Sequence, residues 1–374
     1  MFKPAIQKTR VLVILAIVNL LLFLWASNST GKIETPGHEY KKQAANRMKS
    51  AMTVLKETRY GQNPVFLDAI NDPNETGLVG PKFSHISTGE GDLDSKLSTL
   101  NPNFAALIVE IFLEADLSKG DKVAVSFTGS MPGANLAVMS ACQVMEITPY
   151  IVSSVGSSHW GATDPDFTWI DMEKILVSQD ELTHQSIAVS YGGKSDAGGG
   201  MSPFGREQID NAFERSGISK FIESERLSES VQTRIDLYKE SAHLNEYSVY
   251  INVGGGAASV GALDQARDIP PGFSLPSDLK SIKGGSVLMQ FASLGIPIVH
   301  ILNIRELCEK YGVKFAPVPF PPIGKGKLFE VYAYNLTVTL TALCIALGSL
   351  VGVAIHSHNQ IAHQRDSYEP ESIL

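Results

Sequence analysis

The chain has 374 residues, 44% of them hydrophobic and 19% charged, with 32 Gly, 19 Pro and three Cys. That composition excludes both a disordered chain and a disulfide-stapled one. A formal net charge of -8 argues against a nucleic-acid partner and against broad electrostatic capture of any polyanion, so an anionic ligand would have to be held by local donors.

Apolar segments lie near both ends. Residues 336–355 read LTVTLTALCIALGSLVGVAI, without a charge over the ~20 residues a helix needs to cross a hydrocarbon core. Tyr332 and Tyr334 precede this segment and His356 and His358 follow it, where headgroups would lie. Residues 11–26 follow a basic stretch of Lys3, Lys8 and Arg10, and with the small Ser27 and Ser29 they could be a cleaved signal peptide. Trp25 at the expected interface, the length of VLVILAIVNLLLFLW and the lack of a clean A-x-A site favour a retained anchor. The expected organisation is a cytoplasmic N-terminus and anchor over 1–29, an extracytoplasmic domain over 30–330, a transmembrane helix over 331–356 and a cytoplasmic tail over 357–374, because positive charge before the first segment holds the N-terminus inside.

Taken in order, GKIETPGHEYKKQ reads as a stalk, and Ala44, Met48, Met52 and Leu55 mark one face of a helix stopped by Gly61. Residues 61–100 carry the turn signals NDPNE, GLVGP and STGEGD and read as a loop-rich excursion. Asn101 and Pro102 supply an N-cap and first helical residue for NPNFAALIVEIFLEADL. From there strands and helices alternate: DKVAVSF, ANLAVMSACQVMEI, PYIVSSV, a helix capped by Asp164-Pro165, SIAVSY, a helix near Arg206, KFIE, SESVQTRIDLYKESAHL, YSVYINV, SVLMQFASLG, IPIVHIL and NIRELCEKYG. This predicts an α/β fold with an open, Rossmann-like, mainly parallel sheet, helices on both faces and a transmembrane helix at each end. KFAPVPFPPIGKGK is too rich in proline for a helix and would run in extended form to the second anchor.

Ligands of open α/β sheets bind beyond the carboxyl ends of the strands, which directs attention to the loops there. Those loops contain Thr128 to Gly133, then Gly156, Ser157, Ser158, His159, Trp160 and Gly161, then Gly192, Gly193, Lys194, Ser195 and Asp196, and finally Gly254, Gly255 and Gly256. Glycine admits close backbone approach, and loop amides suit carboxylate or phosphate. Thr128, Ser130, Ser157, Ser158, His159, Lys194, Ser195 and Gly254 to Gly256 are therefore the candidate ligand-binding residues. A single loop of this composition is more often structural than functional; four of them together favour a site. The chain has no GxxxxGK[ST], GxGxxG or G-x-S-x-G pattern, so no nucleotide or other cofactor is expected.

Catalysis, if present, would use Ser158 with His159 as its base, although adjacent loop residues rarely face each other. Lys194 with Asp196 could clamp a carboxylate, or form only a solvated pair. His356, His358 and His363 lack the carboxylate or Cys spacing of a metal site. Cys142 and Cys308 could form the soluble part's one disulfide, a buried thiol in a helix being the favoured reading for each. Cys344, Gly348 and Gly352 recur on one face of the second apolar segment, a small-residue pattern that permits close helix packing and so self-association.

With two apolar ends and the stretches GDKVAVSFTGSMPGANLAV, SSVGSSHWGATDPDFTW, SYGGKSDAGGG, VYINVGGGAASVG and GIPIVHILNIRELCEKYGVKFAPVP, the chain resembles the membrane-bound poly-γ-glutamate system proteins of bacteria over nearly its whole length. The resemblance implies a part in making, exporting or retaining poly-γ-glutamate capsule, with the synthase's membrane and ligase subunits, the polyanionic polymer and the lipid bilayer as partners. It implies no catalytic residues. An accessory protein that binds polymer or synthase without chemistry, and an extracytoplasmic hydrolase or transpeptidase, are the two functions to distinguish.

The charge pattern predicts that protease added to intact spheroplasts digests residues 30–330. Protection of this region while a known external domain is cut would invert the topology.

Overall fold

In the computed structural model, residues 4–62, 68–262, 266–279 and 284–366 are described; Lys3 and the expected tail beyond 366 lie outside them. The chain divides into two compact units, Met1–Glu34 with Glu330–Leu374, and Thr35–Phe329.

The first unit contains two helices long and apolar enough to cross a membrane, α1 (Thr9–Ser27) and a C-terminal helix (Leu336–Asp366). No residue of α1 is buried, so its Leu, Ile and Phe side chains face outward and need an apolar medium or partner. Strand β1 (Thr30–Glu34) pairs antiparallel with Glu330–Tyr334, Thr30 lying opposite Tyr334. Two boundaries therefore differ from expectation. Residues 331–334 form a strand rather than the start of the second span, and the C-terminal helix continues beyond the apolar stretch to Asp366. Gly348 and Gly352 are open to their surroundings, a Cβ added at either meeting no atom within 4 Å.

The second unit is a mixed α/β domain. Its seven-stranded sheet is built from β3 (Lys122–Thr128), β4 (Thr148–Ser154), β6 (Ala188–Ser190), β9 (Phe221–Ile222), β10 (Tyr247–Val253), β11 (Gly272–Ser274) and β12 (Ile298–Ile301). The spatial order is β11-β12-β10-β3-β4-β6-β9. Every neighbouring pair is parallel except β11 with β12. Side chains alternate between two cores, as a strand's period of two requires. Val123, Val125 and Phe127 enter one core with Ile151, Val189 and Ile251. Ala124 enters the other with Val152, Tyr250 and Ile298. Both faces are covered, which explains why these strands read as near-continuous apolar runs.

On the first face lie α2 (His38–Gln62), which buries Ala44, Met48 and Leu55, then α4 (Asn103–Glu114) and α5 (Pro132–Val144). Helix α4 opens at Asn103 with Pro102 as its cap residue, one position later than expected, and Asn101 Oδ1 accepts from Asn103 N–H at 3.1 Å. The next helix, α6 (Trp169–Ser178), is not capped by Asp164-Pro165. Thr168 and Asp171 form its capping box, while Asp164 accepts from Arg59 at 2.8 Å and from Asp166 N–H at 3.0 Å. Asp164 is thus committed elsewhere, and the helix starts later. On the second face, α8 (Leu227–Ser241) brings Tyr238 against Tyr247 and Phe291, and the Tyr238 hydroxyl donates to Val125 O at 2.6 Å. The proline-rich stretch is not a free tether: Asn74 donates to Pro317 O at 2.9 Å and Asn103 to Pro321 O at 3.2 Å.

The expected excursion over 61–100 contains a short strand β2 (Ser87–Gly89), parallel to β5 (Ser157–Ser158), and a helix α3 (Leu93–Thr99). Asp92 caps α3 by accepting from Ser95 N–H at 2.8 Å. The first turn of α5 rests on the end of α3. A Cβ on Gly133 would stand 2.6 Å from Thr99 O and 2.8 Å from Leu100 N, both backbone atoms. Gly133→Ala should therefore destabilise the domain by about 1–3 kcal/mol, the usual cost of overpacking, measured as a lower midpoint in denaturant unfolding. An unchanged midpoint would show that the contact yields freely.

Candidate functional site

The chain leaves β3 toward β4 on one side and β10 toward β12 on the other, so β3 and β10, which are neighbours, form a topological switch point. A cavity of about 960 Å³ opens at their carboxyl ends. Its walls include Thr128 at the end of β3, Ser130 just after it, Ser158, Lys194, and Gly254 to Gly256 after β10. Ser130, Ser158, Lys194 and Gly255 thus share one edge of the sheet. Gly254 is held at a φ of +85°, where a Cβ would come within 2.4 Å of Thr128 Oγ1. Only glycine lets that loop close over Thr128.

Ser157, His159 and Ser195 are not among the cavity-lining residues. Ser157 is buried, its hydroxyl donating to Gly129 O at 3.1 Å and Ser158 O at 2.8 Å, which makes it a turn brace. His159 points to an aromatic cluster, edge-on to Phe83 at 6.4 Å and Trp160 at 5.8 Å. The expected Ser158–His159 pair is not formed: successive residues leaving strand β5 point to opposite sides.

Lys96 takes the position His159 was expected to hold. It projects from α3, is 2% exposed, and donates to Ser158 Oγ at 2.9 Å and to the carbonyl of Ser130. Ser130 Oγ in turn accepts from Ser158 N–H at 2.9 Å. Among the described residues no carboxylate lies within ion-pair distance of Lys96. Burial therefore lowers its ammonium to about 7, the more distant Asp92 opposing that shift.

The Lys194–Asp196 clamp is also absent. Asp196 is buried beside Arg234, which donates to its Oδ2 at 2.9 Å and also to Ser190 Oγ at 2.7 Å and Ser154 Oγ at 3.0 Å. The hydroxyls of Ser154, Ser190 and Ser230 complete the carboxylate's shell. Such a shell offsets the desolvation of a buried ion pair. Ser195 and Asp196 adopt φ of about +60°, turning the Asp196 side chain inward and leaving Lys194 exposed at the cavity wall. Next to the glycine loop, Asn252 Nδ2 donates to His300 Nδ1 at 3.0 Å, and His300 Nε2 faces Ala266 O at 3.1 Å. Burial holds this imidazole down at about 4, so it stays neutral and braces the loop.

Lys96, Arg267 and Arg305, which the sequence reading missed, join Lys194 on the cavity wall, opposed by Glu90 and Asp92. The Arg305 guanidinium lies 3.9 Å from the centre of the Phe315 ring. The cavity can hold an anion through Lys194, Arg267 and Arg305, and it presents a serine hydroxyl bonded to the buried amine of Lys96. Cys142 and Cys308 are free, buried thiols in helices. Compared with family models, with curated proteins and with solved structures, the chain matches none.

Lys96 imposes a pH dependence on folding. Its folded value is lowered to about 7 from an ordinary 10.5, so between these values the unfolded chain holds the extra proton and stability rises with pH. The slope is at most about 1.4 kcal/mol per pH unit. Denaturant unfolding of parent and Lys96→Met from pH 7 to 9 should show this slope in the parent and its loss in the variant. Equal slopes would place Lys96 at its ordinary value.

Proposed function

We propose that this protein is a membrane-tethered accessory component of poly-γ-glutamate synthesis, export or retention, and that its strand-end crevice receives the γ-linked polyanion. The observation that carries the reading is electrostatic. In a chain of net charge -8, Lys194, Arg267 and Arg305 line a single cavity whose acids, among the described residues, are Glu90 and Asp92. An acidic protein that handles a polyanion must do so through such a local concentration of donors. The switch-point position supports the finer fold reading of a Rossmann-like sheet. The resemblance noted in the sequence supplies the polymer's identity. Two apolar helices support a membrane location, with the domain outside the cytoplasm and both termini inside. The partners in this reading are the synthase's membrane and ligase subunits, and self-association would use Gly348 and Gly352.

The test is retention of the full-length, detergent-solubilised protein on immobilised poly-γ-glutamate. Lys194→Glu should weaken retention about tenfold at low salt, since it removes one donor and adds a like charge. The difference should shrink at high salt, because Lys194 is exposed and screened. Retention equal to the parent at low salt would remove the crevice as the polymer site.

A further inference from the structure

Ser158 and Lys96 have the arrangement of a nucleophile and its base. The hydroxyl lies on the cavity wall, 2.9 Å from an amine nine-tenths or more buried and lacking a carboxylate partner among the described residues. Both groups are fixed in place. Lys96 is held by the Ser130 carbonyl, and Ser158 by its backbone bond to the Ser130 hydroxyl. Gly91 leaves the nucleophile room, since a Cβ there would stand 3.1 Å from Ser158 Oγ and 2.5 Å from His159 O. Neighbouring Ser157 has spent its hydroxyl on two carbonyls, which singles out Ser158.

We propose that Ser158 and Lys96 form a catalytic pair that cleaves an amide or ester whose acyl part carries a carboxylate. The neutral Lys96 amine takes the proton of Ser158 as Oγ bonds to the substrate carbonyl carbon. The resulting ammonium gives that proton to the departing nitrogen or oxygen as its bond to carbon breaks, leaving an acyl-serine. Water then attacks the acyl carbon, with Lys96 again receiving and returning a proton, and the products are a carboxylic acid and free Ser158. Lys194, Arg267 and Arg305 would hold the acyl carboxylate on the same wall. That a buried amine is lowered to about 7 lets it act as a base at neutral pH, which an ordinary lysine cannot do. The choice of a γ-glutamyl amide as substrate rests on the function proposed above; the serine–lysine chemistry does not.

The experiment uses the full-length protein in detergent with two probes: a fluorophosphonate that labels activated serines, and poly-γ-glutamate followed by chain length and by retention. Labelling is expected at Ser158 by mass spectrometry. Its rate should rise tenfold per pH unit up to about 7 and then level, tracking a single base. Ser158→Ala should abolish labelling. Lys96→Met should slow it about a hundredfold or more. Lys96→Arg keeps the hydrogen-bond donors but stays protonated, so it should be as slow as Lys96→Met. The pH profile of the parent decides the matter even where a Lys96 variant fails to fold. Labelling at another residue, a flat profile through pH 7, or parental labelling in Lys96→Arg would overturn the pair. Polymer retained without labelling overturns the pair and spares the polymer-binding reading. Labelling at Ser158 without polymer retention or shortening supports the pair and removes the polymer as its substrate.

Discussion

The site depends on a single topological constraint: β3 and β10 lie side by side, and the chain leaves their carboxyl ends in opposite directions. No connection can cover the space between them, so a crevice must remain where Thr128 and Gly254 meet. Ser130, Ser158, Lys96 and Lys194 line that gap. The βα loops supply backbone and hydroxyls from below, while α3, inserted from the segment ahead of the sheet, lowers a lysine into it from one side.

That lysine is costly to bury without a counter-charge, and its neighbours show how the fold tolerates it. Lys41, also fully buried, is paired with Glu110 and bonded to Thr35 Oγ1 at 2.9 Å and Leu328 O at 3.0 Å, and it clasps the two ends of the domain. Arg234 is balanced by Asp196. Lys96 alone of the three has only neutral oxygens, and burial without a counter-charge weakens its hold on the proton. Two buried cations thus hold the structure together, and the third is a lysine that releases its proton more readily than an ordinary one. The Arg234–Asp196 pair matters to the crevice indirectly. By drawing the loop after β6 inward it leaves Lys194 outside, where it can meet a ligand.

Much of this architecture was legible in the sequence, because parallel strands covered on both faces announce themselves as short apolar runs, and YSVYINV or DKVAVSF admits little else. The strand-end glycines pointed to the crevice for the same reason: Gly254 must turn where a side chain would strike Thr128. What escaped notice lies in tertiary packing. Helix α3 has only seven residues, too short for a periodic signal, and its turn-rich approach concealed it. Asp92 followed by Ser95 was its one local signature. Lys96 looks like any surface lysine until the fold brings the Ser130 carbonyl and the Ser158 hydroxyl onto it. The pairing of Ser158 with His159 failed because adjacency in sequence is not adjacency in an extended chain. The pairing of Lys194 with Asp196 failed because Arg234, thirty-eight positions beyond Asp196, competes for the carboxylate.

The crevice at the ends of β3 and β10 is proposed as the place where this protein meets its anionic ligand. Hydrogen–deuterium exchange of the full-length protein with and without saturating poly-γ-glutamate locates that contact directly. Slowed exchange is expected in the segments 88–96, 128–131, 156–158 and 254–257, with the exposed faces of α2 and α8 unchanged. Protection confined to those helix faces or to the β1 ribbon, with the crevice segments exchanging as before, would contradict it.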